Sequence, residues 1–306
     1  MGSANTFNPI KITMFKINFV LTLTLLLIPL LNYGQYTDQI NSNRPGETMS
    51  AFAVGKSVIQ VETGAYGISQ KHHLLNYVTN GFGIDATIRY GMFLEKLELI
   101  ADIQFQSQVH ESLFTIRDQK ALKQSILGAK YLLYDPFENQ EKEVNIYSWK
   151  VDKSFKLKQL IPAVSVFVGA NITSDNNPYY FSTKGGVTPK IILITQNHFG
   201  DGSWVLVTNT IVDYIGTVFP SYAYLLTISK SLNKKWSGFI ENQGYNSNFN
   251  SDLIVRSGAA YLVNEDFQID FSASSSLKNT PSVYYGGIGF SWRYDGNYKE
   301  IKRFVK

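Results

Sequence analysis

The sequence predicts an all-β chain: an antiparallel, up-and-down transmembrane β-barrel of about 12 strands (roughly 10–14), preceded by a signal peptide. Three observations predict it. Apolar and polar residues alternate with period two through most of the chain after residue 55, and side chains on a strand point to opposite faces with that period. Charged residues make up 17% and hydrophobic residues 44% of the chain, less charge than a soluble domain usually carries. The polar parity holds Gly, Ser, Asn, Gln and Asp with sparse Lys and Glu, as in a confined, hydrated lumen rather than a face open to bulk water. A soluble sandwich would turn the apolar face inward, whereas a membrane barrel turns it to lipid. The 19 Tyr and 20 Phe suit strands and the aromatic girdles of such a barrel.

The first element is a leader. Lys11 and Lys16 precede the apolar run 17–31, which ends at Asn32-Tyr33-Gly34-Gln35. That layout reads as a signal peptide over 1–34, cut after Gly34, and the run is short for a spanning helix of about 20 residues. Met14 serves as well as Met1 for a start. Residues 35–54, with Arg44 and Pro45, follow as a periplasmic or plug segment. They either fold into the barrel mouth or form a mobile tail. The barrel itself occupies 55–295, and 296–306, with Lys299, Lys302, Arg303 and Lys306, is a solvated periplasmic tail.

The strands come next, in order. A weaker alternation over 57–67 is followed by Phe82, Ile84, Ala86, Ile88 and Tyr90 opposing Gly83, Asp85, Thr87, Arg89 and Gly91. Leu97, Leu99, Ala101, Ile103 and Phe105 oppose Glu98, Ile100, Asp102, Gln104 and Gln106, and Leu127, Ala129, Tyr131 and Leu133 oppose Ile126, Gly128, Lys130 and Leu132. Val164 through Ile172 alternate with Ser165, Phe167, Gly169 and Asn171. Weaker versions cover 187–198, 203–213, 221–230, 235–244 and 252–263. The clearest strand is Phe267, Ile269, Phe271 and Ala273 against Gln268, Asp270, Ser272 and Ser274, and Tyr284, Ile288, Phe290, Trp292 and Tyr294 close the series. An even count brings both ends of the barrel to the periplasmic side.

Between strands, polar stretches near 68–80, 107–120 and 173–186 read as long outer loops. Phe93–Lys96, Gly200–Gly202, Asn233-Lys234 and Asn264-Glu265 read as tight periplasmic turns. The connection from Asp135 to Lys158 is long where a short turn is expected; it reads as a periplasmic extension or a hidden strand pair.

Parity puts Gln60, Glu62, Arg89, Glu98, Asp102, Lys130, Glu241, Arg256 and Asp270 on the lumen side as candidate pore-lining residues. Arg89 and Glu98 flank the Phe93-Leu94 turn and are expected to face each other across one hairpin. A charge inside a barrel must be hydrated or paired, so these residues form a structural network, a solute filter, or both.

Other function classes find little support. A net charge of +4 with no basic run among aromatics gives no argument for nucleic acid. The chain has no cysteine, which removes disulfides, thiolate nucleophiles and Cys-ligated zinc. His72-His73 is a poor chelating pair on extended backbone, and no Gly-x-Ser-x-Gly elbow accompanies His110 or His198. No cofactor fingerprint appears, and the chain reads as a non-enzyme.

Several segments together carry a family resemblance: Asn43-Arg44-Pro45-Gly46, Gln60-Val61-Glu62-Thr63-Gly64, Arg89-Tyr90-Gly91, Leu97-Glu98-Leu99 and Gly287-Ile288-Gly289-Phe290-Ser291-Trp292-Arg293. They resemble the outer-membrane "transporter" family labelled putative MetA-pathway of phenol degradation. Asn43 stands where that family usually has Asp, which would weaken any pairing of that acid with a pore arginine. The resemblance implies an outer-membrane channel for passive uptake of small molecules, hydrophobic or aromatic ones among them, with membrane lipid and solute as partners. Gly287, Phe290 and Trp292 resemble the insertion signal read by the barrel assembly machinery, or are ordinary lipid-facing alternation. A second reading is a closed structural or interaction barrel that binds a partner through its outer loops, motivated by Asn177-Pro178-Tyr179-Tyr180-Phe181.

Overall fold

The structure is a computed structural model that describes residues 40–136, 157–180, 182, 184–248, 251–278 and 280–295. The predicted signal peptide, the tail 296–306 and most of the 135–158 connection lie outside the described residues.

Period-two alternation becomes twelve antiparallel strands in which each pairs with its sequence neighbours. They are β1 (Val58–His72), β2 (Tyr77–Gly91), β3 (Leu97–Ser112), β4 (Ile116–Tyr134), β5 (Ala163–Thr173) and β6 (Gly186–Phe199), then β7 (Trp204–Asp213), β8 (Ser221–Ser231), β9 (Trp236–Ser247), β10 (Ser251–Asn264), β11 (Phe267–Ser276) and β12 (Ser282–Asp295). β12 returns to pair with β1, Val58 opposite Asp295 and Lys71 opposite Ser282, so the sheet closes and no edge is left.

The orientation of the two faces is decided by exposure. Phe82, Ile84, Leu127, Val168, Ile240, Phe271 and Ile288 stand exposed on the outside, whereas Gln60, Glu62, Arg89, Glu98, Lys130 and Glu241 are buried inside. A soluble protein does not present such a continuous apolar belt to water; a bilayer is the solvent that matches it. At one end of the belt Tyr90, Trp204, Trp236, Tyr261, Trp292 and Tyr294 face outward, the girdle expected at a membrane interface. The protein is a transmembrane β-barrel.

Two loop expectations are corrected. Most of 68–80 and 107–120 is strand, and the hairpins turn only at 73–76 and 113–115. Both faces of β1–β4 are polar there because these strands run past the apolar belt. Wet faces on both sides imitate a loop in sequence, but backbone pairing does not require a greasy face. The third expectation holds: 174–185 is a long connection. Loop length is therefore not sorted by strand parity as the sequence suggested. The connection 135–162 is long at the end holding both barrel termini, and its described part includes a one-turn 3-10 helix, Leu157–Leu160.

The interior is not uniformly polar. Ile100, Ile126, Phe167, Ile192 and Ile194 point inward along β3–β6 and form an apolar wall with Ala51, joined by Met49 and Phe52. Residues 40–54 run through the barrel interior, and their apolar half packs on that wall.

Candidate functional site

The lumen centres on Arg44. Asp85 of β2, Gly64 of β1, Gly289 of β12 and Asp270 of β11 form one cross-strand row, each opposite the next. The Arg44 guanidinium lies over the two glycines, where a Cβ at either would run into it. Its Nε and Nη2 donate to the Asp270 carboxylate at 3.2 Å each, and Nη1 pairs with Asp85. The glycines allow close approach of a flat cation to the sheet, and the carboxylates on either side neutralise it.

The wall then holds the backbone of the inner segment. Glu62 accepts the Asn43 and Arg44 N–H groups at 3.1 and 3.3 Å, and Glu241 accepts those of Glu47 and Thr48 at 3.0 and 3.2 Å. Asn209 accepts from the Met49 N–H at 2.7 Å and donates to the Met49 carbonyl at 3.0 Å, pairing with that residue as a strand would. Gln196 accepts from Ala51 N–H at 2.9 Å and Glu98 from Val54 N–H at 2.8 Å. Lys130 Nζ donates to the Ser50 and Phe52 carbonyls at 2.6 and 3.0 Å, while Arg89 donates to the carbonyls of Asn41 and Phe52. A segment without regular structure thus has its polar groups met by side chains, as a buried backbone requires.

All nine sequence-predicted lumen residues point inward. Glu62, Arg89, Glu98 and Lys130 form one buried cluster: Arg89–Glu62 at 3.2 Å, Arg89–Glu98 at 3.1 Å and Lys130–Glu98 at 2.8 Å. Gln60 donates to Glu62 at 2.7 Å. Glu241 and Arg256 pair directly, and Asp270 holds Arg44. Asp102 sits apart, accepting from Thr87 and Gln124 at 3.0 and 2.5 Å. The expected hairpin geometry is corrected in one respect. Gly91 lies opposite Glu98 and Ile100 opposite Arg89, so Arg89 and Glu98 meet diagonally. The turn is 92–96, centred one half-step beyond Phe93-Leu94, which shifts the register. Pro45 follows Arg44 in the turn, and Asn43 caps that turn by accepting the Ser50 N–H at 2.9 Å.

Sequence reasoning missed Lys123 and the anchoring amides Gln196 and Asn209. Lys123 sits at a β-bulge, where Gln104 faces Gln124 but Phe105 faces Leu122. The extra residue reverses parity. The signal was available: the lipid-facing Leu122 and Leu127 are of opposite parity, with an even number of residues between them, which unbroken alternation forbids.

The inner segment divides the lumen. A cavity of ≈ 400 Å³ is lined by Tyr66, Asp85, Asp102, Lys123, Arg256 and Tyr285 among others. A second, of ≈ 280 Å³, lies toward the barrel termini among residues such as His198, Ser203, Thr227 and Gln268. Asn43, Arg44, Pro45 and Gly46 line both. Above the larger cavity, the loop 174–185 folds back on the β3–β4 wall. Asn177 donates to the Leu122 carbonyl at 2.7 Å, and the Tyr179 hydroxyl to the Gln106 and Gln119 carbonyls at 3.1 Å each. Burial pushes that hydroxyl up to about 12, so it remains a donor at any envelope pH. His110 bonds Thr79, and His198 bonds Gln196. Among the described residues no group of three or more His, Cys, Asp or Glu could hold a metal.

Residues 42–294 match the family described as "Putative MetA-pathway of phenol degradation". The chain belongs to that family. Among solved structures, an outer-membrane channel from Pseudomonas putida F1 is similar over 83% of this chain and 100% of its own, at 12% identity and a TM-score of 0.53. The translocator domain of the autotransporter NalP from Neisseria meningitidis gives a TM-score of 0.48 at 9% identity, covering 78% of this chain and 89% of its own. The CymD monoaromatic hydrocarbon channel gives 0.42 at 10% identity, with the same two coverages. No curated protein matches the sequence. The first of these similarities supports the fold; the family assignment rests on the match across both barrel ends and the segment that enters the lumen.

Proposed function

We propose that the protein is a passive outer-membrane channel for small molecules, hydrophobic or aromatic ones among them, in which residues 40–54 act as a plug. The observation that carries this reading is the pair of lumen cavities meeting at the short turn Asn43–Gly46. A barrel built only as a scaffold has no need of two chambers separated by so thin a septum. Gln60, Glu62, Arg89, Glu98, Asp102, Lys130, Glu241, Arg256 and Asp270 then have a double role: they line the path and they clamp the plug. Their charges filter solutes where the path is narrowest. In the family's own description the chemistry is phenol degradation, which is consistent with single-ring solutes.

The test is liposome swelling on refolded protein with small neutral solutes, including benzyl alcohol. The native chain admits them slowly, and Arg44→Ala, which empties the seat over Gly64 and Gly289, admits them severalfold faster. Absence of entry for every solute with both proteins would overturn the channel reading.

A further inference from the structure

We propose that Lys123, Tyr66 and Tyr285 form a binding subsite for an aromatic monocarboxylate in the larger chamber. This deepens the channel reading by naming a solute class for it.

The bulge in β4 is the first support. Without the extra residue, Lys123 would point to lipid; with it, the side chain swings into the lumen, and bulges commonly re-aim side chains beside functional sites. The second is what the ammonium meets. Lys123 Nζ lies 5.9 Å from the centroid of the Tyr66 ring and 5.6 Å from that of Tyr285, within the range of cation–π attraction. The two rings stand edge to face at 6.0 Å, and Tyr66 is fixed by its hydroxyl donating to Gln106 Oε1 at 2.9 Å. The site is therefore pre-organised by its surroundings.

The third is charge. The other cations on this chamber have carboxylate partners, and its carboxylates are either paired or held by hydrogen bonds. Arg44 has Asp85 and Asp270, Arg256 has Glu241 with Glu47 at 3.7 Å, and Asp102 has Thr87 and Gln124. Lys123 has no carboxylate within ion-pair distance among the described residues. An ammonium withdrawn from bulk water gains from an anion that restores its lost solvation. The carboxylate would accept from Lys123 Nζ while the ring stacks against the tyrosines. Glu47, Asp85 and Asp102 on the same lining disfavour a second negative charge, which selects a monoanion over a dicarboxylate or a phosphate. The chamber's ≈ 400 Å³ lies in the range of small-molecule sites.

The experiment is a fluorine NMR titration of refolded full-length protein in micelles with 4-fluorobenzoate, using 4-fluorobenzyl alcohol as the uncharged control. Saturable binding of the acid, about tenfold tighter than the alcohol, is expected, because one charge-assisted hydrogen bond is worth at least that ratio. Lys123→Gln abolishes the preference, Lys123→Arg keeps most of it, and Tyr285→Leu weakens both ligands. Heat-modifiable migration on a gel checks folding, and if Lys123→Gln does not fold, the Arg and Leu variants decide the question. Equal binding of acid and alcohol, or a preference that survives in Lys123→Gln, overturns the subsite. Swelling assays separate the two proposals. Entry of benzyl alcohol with no Lys123-dependent benzoate binding removes the subsite alone, whereas Lys123-dependent binding without entry of any solute removes the channel alone.

Discussion

The Glu98 carboxylate has three partners that no other residue can replace. It faces Arg89 and Lys130 and accepts the Val54 N–H, all inside a barrel where none of these can turn to bulk water. Glu98→Ala leaves the buried Lys130 without a carboxylate and Arg89 with Glu62 alone, and breaking a buried ion pair from one side costs about 3–5 kcal/mol. Urea unfolding in lipid vesicles should show a loss of that size, with Glu98→Gln closer to native because the amide still accepts from Val54. A loss below about 1 kcal/mol, the size of a surface pair, would mean the cluster is solvated. At this scale the sequence was informative about direction and silent about partnership. Parity alone turned Glu62, Arg89 and Glu98 inward. That Arg44 meets Asp85 and Asp270 was invisible, since β2 and β11 come within one guanidinium's reach only because β12 closes on β1. Lys123 was hidden for the opposite reason, a local one: a single extra residue inverts the alternation that revealed the others.

Among the elements, the inner segment is the one whose conformation depends wholly on the rest. It has no ladder of its own; Glu62, Glu241, Asn209, Gln196 and Glu98 act as a discontinuous partner strand for residues 43–54. Such an element should release as a unit when its central anchor is denied space. Gly289→Leu places a side chain where the Arg44 guanidinium rests, so the turn at Asn43–Gly46 lifts and the clamp loosens. The natural chain lacks cysteine, which allows a clean readout with Ala51→Cys, a fully buried position against the apolar wall. A membrane-impermeant maleimide should leave Cys at this position unmodified in the otherwise native barrel and label it rapidly once Gly289→Leu is added. Equal labelling in both would show that the segment already leaves the lumen. The strands themselves were legible almost to their ends, because each had to keep one face for lipid. The upper parts of β1–β4 were not, because beyond the bilayer neither face carries that constraint. The inner segment could be read only as a plug or a tail, since its binding residues are scattered over at least eight strands and show no local pattern.

For the whole molecule, the apolar belt faces acyl chains, and depth gives that orientation a quantitative signature. Ile288 stands at the middle of β12, opposite Ala65 and Phe271 and 69% exposed, whereas Tyr294 stands near the strand's end within the aromatic girdle. In a bilayer, an arginine on the lipid face costs about 2–4 kcal/mol at the midplane and about 0–1 near the interface. Ile288→Arg should therefore destabilise the vesicle-reconstituted barrel by the larger amount and Tyr294→Arg by the smaller, in the same urea experiment. Water outside the barrel would make both changes nearly neutral, since each side chain is exposed and an arginine there would be hydrated. A sandwich with this face inward would make both severe, because each would bury an unpaired charge. Only a lipid-facing belt produces a gradient along one strand, and the gradient should vanish for inward positions, where Ser291 and Arg293 already sit among polar partners.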